Sequence, residues 1–298
     1  MIVAGRQAEA TRFLSQYVKR NTQFALLCAL CITACSGGQS PGSGQDDFRQ
    51  WKLPGALREI SGLALTSDQR LLAITDEQAI VYELDYEKGE VVKTFAFGDP
   101  VLEGDFEGIA VLRGRVWLMT SSGDLYVAEE GADGERVSYE AFATGHGDYC
   151  ELEGLAQITA VDSLLLVCKE TNSTVDPLQA YEWSVRGDAV VFVRDLTLPE
   201  QEIALHIDKK RVNPSGAAVH PESGDWLMIA ARQRGLFRTN AEGDLFEATK
   251  LPHKNRHRQA EGIEVTDDGL LLIADEGGSG KAKLTVYRLA PIMNFERD

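Results

Sequence analysis

The sequence predicts an all-β protein, a five-bladed β-propeller of four-stranded antiparallel blades. A Glu-Gly or Ser-Gly pair opens a short apolar segment five times along the chain, and the glycines are 46, 46, 62 and 46 residues apart. Further short apolar segments follow each pair within a period of about 40–50 residues, which is typical of propeller blades. The composition, 44% hydrophobic and 26% charged, is that of a globular protein. The five glycines are Gly62, Gly108, Gly154, Gly216 and Gly262.

Each unit contains the same series of predicted strands. The first strand follows the glycine pair, and the second is continuously apolar, which suits a sheet packed on both faces. The third strand carries aromatic residues, and the fourth is more polar. The predicted second strands are 71–74, 116–119, 164–167, 226–229 and 270–273, and the predicted fourth strands are 90–97, 136–142, 189–196 and 244–251.

The fifth unit ends after its third strand, near Leu289. Residues 48–53 have the pattern of a strand and can complete the last blade from the N-terminal side, although a linker is the alternative. A six-bladed ring is the other possible architecture, because the third unit is 16 residues longer than the others. These residues, about 199–212, are too few for four strands, and we expect a loop with a short helix. The propeller then spans 48–290, and 291–298 form a C-terminal tail.

The N-terminal residues 1–34 are predicted to be a lipoprotein signal peptide. Lys19 and Arg20 precede an apolar run at 24–34, which is too short to span a bilayer as a helix. A buried helix of the fold is the alternative interpretation.

The end of the apolar run, Ile-Thr-Ala-Cys at 32–35, resembles the bacterial lipobox. This resemblance predicts that Cys35 is lipidated and attaches the mature chain to the membrane. Residues 35–47 are rich in Gly, Ser and Gln and are predicted to be a flexible tether. The predicted location is the bacterial cell envelope, on the outer membrane and facing the periplasm or the cell surface.

The charge balance restricts the class of partner. The formal net charge is −16, whereas phosphate-backbone binding needs a basic face, so nucleic acid is excluded. We expect a monomer.

Cys150 and Cys168 are the two cysteines beyond the lipobox. An oxidising compartment favours a disulfide between them. A hairpin in which Thr159 opposes Leu164, however, places Cys168 opposite a residue five positions from Cys150. At about 3.3 Å per residue this exceeds the reach of a disulfide, unless residues 150–153 fold back.

Six acidic residues are predicted to surround one channel mouth. The first strand of each propeller blade lines the channel, so the residues before it and at the end of the antiparallel second strand share one rim. Like charges this close need a cation or a proton, and an oxygen-only ligand set favours Ca²⁺. The alternative is that these acids only pair with nearby cations. The candidate metal ligands are Glu107, Glu153, Glu261, Asp76, Glu170 and Asp275, with Ser61 and Ser215 as neutral oxygens.

Two basic segments, 209–211 and 253–258, precede the first strands of the fourth and fifth units. They could hold a small anionic ligand or an acidic segment of a partner protein at the same rim, or be solvated loops. The candidate contacts are Lys169, Arg232, Arg256 and Arg258.

The units resemble the SdiA-regulated family of bacterial envelope proteins. The motifs that carry the resemblance, over about 48–290, are Asp105-Phe-Glu-Gly-Ile-Ala, Cys150-Glu-Leu-Glu-Gly-Leu-Ala, Cys168-Lys-Glu-Thr-Asn, Pro214-Ser-Gly-Ala and Gln259-Ala-Glu-Gly-Ile. The resemblance implies a five-bladed propeller, similar to NHL-repeat proteins, with a bound calcium ion and no established reaction. The sequence departs from the family pattern at Ala260, where proline is usual, and at Asp275-Glu-Gly.

Two functions are compatible with this sequence. One is a lipid-anchored binding module whose calcium-bearing rim docks a ligand or protein. The other is a calcium-dependent hydrolase of the phosphoesterase, esterase or lactonase type at the same rim. The sequence has no motif for nucleophilic catalysis, and its five histidines have no metal-ligand spacing, so we favour binding.

Overall fold

The computed structural model describes residues 48–187, 189–253 and 255–295, and these residues form five β-sheets. The predicted signal peptide, the lipidation site at Cys35 and the tether lie outside the described residues. Within the described ranges, no helix is long and apolar enough to cross a membrane.

Each sheet is one blade, with its first strand at the channel. The chain enters through β1 (Phe48–Lys52). Blade 1 comprises β2 (Ile60–Leu65), β3 (Leu71–Thr75), β4 (Ile80–Asp85) and β5 (Glu90–Phe97). Blade 2 comprises β6 (Phe106–Leu112), β7 (Arg115–Thr120), β8 (Leu125–Glu129) and, after the separate strand β9 (Glu135–Val137), β10 (Glu140–Phe142). Blade 3 comprises β11 (Cys150–Ile158), β12 (Ser163–Thr171), β13 (Gln179–Arg186) and β14 (Ala189–Thr197).

Blade 4 follows the helix α1 (Glu200–His206) and comprises β15 (Gly216–Val219), β16 (Trp226–Ala230), β17 (Gly235–Thr239) and β18 (Leu245–Lys250). Blade 5 comprises β19 (Ala260–Val265), β20 (Leu270–Asp275), β21 (Lys283–Arg288) and β1. Short 3-10 helices lie at Gly55–Leu57, His146–Asp148 and Thr159–Val161.

The N-terminal strand closes the ring, as predicted. β1 pairs antiparallel with β21, from Phe48 opposite Tyr287 to Lys52 opposite Lys283. The five-bladed prediction is therefore confirmed over the described residues, and the additional residues of the third unit do not form a sixth blade. They contain α1, which buries Ile203 and Ala204.

The five repeated glycines explain why the inner strands can form so tight a ring. A side-chain carbon would collide with the inner strand of the next blade at Gly108, Gly216 and Gly262; at Gly108, for example, it would lie 2.5 Å from Leu155 Cβ. At Gly62 and Gly154 it would lie 3.1 and 3.0 Å from the next strand, which is tighter than an ordinary contact. Glycine is therefore required for the close approach of neighbouring strands. The contacts run round the ring from Gly62 to Ile109, Gly108 to Leu155, Gly154 to Ala217, Gly216 to Glu261 and Gly262 to Leu63.

The segment predicted as one strand at 136–142 is divided. β9 pairs in parallel with β5 of blade 1, and only β10 completes blade 2. The chain turns beside blade 1 at Gly134, which has a φ of 75° and donates its N–H to Thr94 O. A left-handed turn of this kind suits glycine, and it redirects the first half of the segment.

Cys150 and Cys168 form a disulfide, with Cα atoms 5.8 Å apart. The predicted hairpin register was therefore wrong. The 3-10 turn at Thr159–Val161 places Leu164 opposite Gln157, and a bulge at Glu153 shifts the register once more, so that Cys168 lies opposite Leu152. Both shifts bring Cys168 towards Cys150.

Candidate functional site at the channel mouth

Four of the five inner strands carry a β-bulge at the residue before the repeated glycine. The ladder register shifts between Ile60 and Gly62, and the equivalent shift recurs in β6, β11 and β19. The residue inside such a bulge has no partner on the neighbouring strand. Its side chain therefore does not follow the regular alternation of side chains between the two faces of the sheet. The bulged residues are Ser61, Glu107, Glu153 and Glu261.

These four residues line one small cavity at the channel mouth, as the sequence predicts for the three glutamates. The cavity has a volume of about 10 Å³, which is room for about one water-sized particle. Ser215 is placed differently: its hydroxyl donates to Ala260 O at 2.7 Å and accepts from the N–H of Ala231 at 3.0 Å. Ser215 therefore joins blades 4 and 5.

The environment favours the neutral form of two of the glutamates. Burial, with the nearby Asp105 carboxylate as the next cause, raises the pKa of Glu107 to about 8. Burial is also the main reason that the pKa of Glu261 is raised to about 8. In both cases the positive charge of Lys169 opposes the rise.

Lys169 supplies the positive charge at this mouth. Its ammonium group forms an ion pair with the buried Glu153 and a second with Glu151 at 3.2 Å. The second carboxylate oxygen of Glu153, Oε2, and the hydroxyl of Ser61 are buried without a hydrogen-bond partner in the described structure. The mouth therefore holds acceptor oxygens that the protein leaves unsatisfied.

The three acids predicted at the strand ends lie in separate surroundings. Glu170 pairs with Arg232 at 2.9 Å, and the two side chains are 44% and 57% exposed. Asp76 is half-buried. Its pKa is raised mainly by this burial and, to a smaller extent, by the nearby Glu59 carboxylate. Asp275 is buried beside the ring of His257, with 2.7 Å between Oδ2 and Nδ1.

His257, which contacts the predicted site residue Asp275, was not among the predicted contacts. Its Nε2 lies 2.7 Å from the Tyr287 hydroxyl, so Asp275, His257 and Tyr287 form a buried hydrogen-bonded chain. The partners are 18 and 30 residues away along the chain, and spacing within a motif could not reveal them. This chain holds the Asp275 side chain in place.

No group of three or more His, Cys, Asp or Glu side chains is arranged as a ready-made metal centre within the described residues. The carboxylates share a cavity, but the ion pair between Lys169 and Glu153 occupies part of the mouth. The donor set nevertheless consists of oxygen atoms, two of them unpartnered, and this chemistry suits a hard cation.

The last two candidate contacts, Arg256 and Arg258, lie away from the channel. They line a separate pocket on blade 5, together with Asp275 and Glu276. Arg232 and Lys169, in contrast, are engaged in the ion pairs described above.

The fold and this mouth define a five-bladed propeller with a channel entrance lined by carboxylates. The family model for SdiA-regulated proteins matches residues 45–279, and the chain belongs to the SdiA-regulated family. No functionally curated protein matches the sequence.

Several solved structures share the fold at low identity. Glutaminyl cyclase from Myxococcus xanthus is 12% identical, with 80% of this chain and 93% of that chain covered and a TM-score of 0.52. A luciferin-regenerating enzyme is 10% identical, with 80% and 94% covered and a TM-score of 0.50. A gluconolactonase from Xanthomonas campestris is 14% identical, with 76% and 71% covered and a TM-score of 0.47. At these identities the likeness concerns the fold alone.

Proposed function

We propose that this protein is a binding module of the bacterial cell envelope, whose channel mouth holds a Ca²⁺ ion and whose rim docks a ligand or a partner protein. One observation carries the proposal: repeated β-bulges direct Glu107, Glu153 and Glu261 into a single small cavity. Gathering three carboxyl groups without a cation costs stability through burial and repulsion. Because the arrangement recurs in blades 2, 3 and 5, a cation at their common cavity accounts for it.

The residues present fit a hard cation. Glu107, Glu153 and Glu261 would hold the ion, and Ser61 would add a neutral oxygen from the same cavity. The unpartnered Glu153 Oε2 and Ser61 Oγ supply acceptors that nothing else in the described structure uses. A bound Ca²⁺ would neutralise the negative charge that Lys169 balances in its absence.

Attachment to the membrane is part of the proposal. Lipidation of Cys35 would fix the mature chain to the envelope, and residues 35–47 would tether the propeller to it. The disulfide between Cys150 and Cys168 supports a compartment outside the cytoplasm, because disulfides persist in oxidising surroundings.

Calorimetric titration of Ca²⁺ into the full chain, after treatment with EDTA, tests the site. We expect binding of a single ion, and we expect Lys169→Met to bind about tenfold more tightly because a competing positive charge is removed. Glu107→Gln/Glu153→Gln should bind no ion, whereas Glu242→Gln, an exposed carboxylate elsewhere, should bind like the wild type. Absence of binding in both the wild type and Lys169→Met would contradict the proposal.

A hydrolase at the same rim is the second candidate. A carboxylic acid with a pKa near neutrality can act as a general acid, and the raised pKa values of Glu107 and Glu261 favour this role. The mouth is narrow, however, and a cavity of about 10 Å³ does not admit a substrate. Turnover of an ester, lactone or phosphoester that disappears in Glu107→Gln would favour the hydrolase over the binding module.

A further inference from the structure

A basic pocket lies on blade 5, outside the channel. It has a volume of about 700 Å³, which is within the usual range of roughly 300–1,000 Å³ for small-molecule sites. The loop before β19, the loop between β20 and β21, and the end of the closing strand β1 form its walls. Its five cations are Lys52, Arg256, Arg258, Lys281 and Lys283.

The pocket carries more positive than negative charge. Within the described residues, none of the five cations forms an ion pair with a carboxylate. The two acids of the pocket offset part of this charge but are bonded to other residues, Asp275 to His257 and Glu276 to Gln259, and the five cations outnumber them. A cluster of unpaired positive charge stands out in a chain whose net charge is −16.

The register of the closing strand brings two of these cations together. Lys52 and Lys283 are direct partners in the pairing of β1 with β21. Like charges directly opposite each other in neighbouring strands destabilise a sheet. On its other side Lys283 lies opposite Asp275 of β20, but that carboxylate is bonded to His257 and, within the described residues, forms no ion pair with Lys283. The repulsion is relieved if the pocket binds an anion.

One arginine of the pocket is held in place before any ligand arrives. The guanidinium carbon of Arg256 lies 3.4 Å from the centre of the Phe48 ring, and Nη1 donates to the Tyr287 hydroxyl at 3.4 Å. Stacking on an aromatic ring leaves other N–H donors of the planar group available, and this planar fork matches phosphate oxygens.

We propose that this pocket is a binding site for a small phosphorylated molecule that carries two or more negative charges. The five cations outnumber the two acids of the pocket by more than one charge, so a ligand with several negative charges is the better match, and both arginine and lysine bind phosphate groups. This site does not require a cation at the channel mouth. The proposal can therefore be tested independently of the function proposed above.

Inorganic pyrophosphate is the probe, titrated into the full chain by calorimetry in EDTA so that no Ca²⁺ takes part. We expect saturable binding that weakens as salt is added. Arg258→Gln/Lys283→Gln should weaken binding at least about tenfold, because two charge-assisted contacts are lost. Arg288→Gln is the matched control: this exposed arginine lies at the other end of β21, outside the pocket, and should bind like the wild type.

Thermal unfolding of the same variants provides a second measurement. Without pyrophosphate, Arg258→Gln/Lys283→Gln should unfold at the same temperature as the wild type or a higher one, because the repulsion between Lys52 and Lys283 is removed. A lower midpoint would mean that these cations stabilise the fold, and would contradict the proposal. Undetectable binding of pyrophosphate to the wild type, or an equal loss of pyrophosphate affinity in Arg288→Gln, would also contradict the proposal.

Vesicles distinguish the two sources of such a phosphate group. If the full chain binds vesicles of an anionic phospholipid and pyrophosphate releases the chain from them, the ligand is a lipid headgroup. If pyrophosphate binds and the vesicles do not, the ligand is a soluble phosphorylated molecule.

Discussion

Glu264→Gln is expected to make the protein more stable than the wild type by about 4 kcal/mol at pH 8, while the difference largely disappears near pH 4.5. Glu264 is 3% exposed, and burial raises its pKa to about 8 from an ordinary value of 4.5. The carboxyl group accepts two long hydrogen bonds, from Leu65 N at 3.3 Å and Val265 N at 3.2 Å, and a side-chain hydrogen bond with Gln157 also lowers its pKa, but burial is the larger effect. Glutamine resembles the neutral form that this environment favours.

The direction of this pH dependence follows from the linkage between proton binding and folding. Below pH 4.5 the carboxyl of Glu264 is protonated in both the folded and the unfolded chain. Between pH 4.5 and pH 8 the unfolded chain releases the proton while the folded chain retains it, so the free energy of unfolding falls as the pH rises and levels off above pH 8. Urea denaturation of wild type and variant across this range measures the effect.

Glu242→Gln is the matched control for this measurement, because Glu242 is exposed and its substitution should give no pH-dependent difference. A difference between Glu264→Gln and the wild type that stays constant from pH 4.5 to pH 8 would contradict the assignment of a raised pKa. The position itself is unusual. The other four units have alanine there, at Ala64, Ala110, Ala156 and Ala218.

The second large effect is expected from the disulfide. Replacement of Cys150 and Cys168 by alanine should lower the free energy of unfolding by about 3 kcal/mol, the stabilisation expected for a cross-link that closes a loop of this length. The two cysteines are 18 residues apart and fully buried, and they join the first two strands of blade 3. Urea denaturation with and without a reducing agent measures the contribution.

The reductant also provides the internal control. The reductant should lower the free energy of unfolding of the wild type, because it reduces the disulfide when the chain unfolds. It should leave the free energy of unfolding of Cys150→Ala/Cys168→Ala unchanged. If the double variant were as stable as the oxidised wild type, the disulfide would have no part in holding blade 3 together.

The ring of blades can be predicted from the sequence because the glycine pair recurs periodically and each glycine is needed for the packing of neighbouring inner strands. Only glycine permits the contact between neighbouring inner strands, such as that between Gly108 and Leu155, so the pair recurs in every blade. The same periodicity places Glu107, Glu153 and Glu261 at one mouth. Their convergence on a common cavity could therefore be predicted without the structure.

Other features depend on details that alternating hydrophobicity does not encode. The bulge at Glu153 and the 3-10 turn at Thr159–Val161 shift the register of one hairpin, and the disulfide depends on that shift. The basic pocket depends on distant pairing, since Lys52 meets Lys283 only when the first strand closes the last blade. Sequence reasoning recognised the local basic segment but not its partners.

Thermal unfolding of the full chain in EDTA and in excess Ca²⁺ shows whether the channel mouth binds a cation. At a free Ca²⁺ concentration about a hundredfold above the dissociation constant, we expect a gain of about 3 kcal/mol in the free energy of unfolding and a higher midpoint. Glu107→Gln/Glu153→Gln should lose this gain, and Glu242→Gln should retain it. A wild-type midpoint that is the same in EDTA and in Ca²⁺ would mean that the channel mouth binds no Ca²⁺.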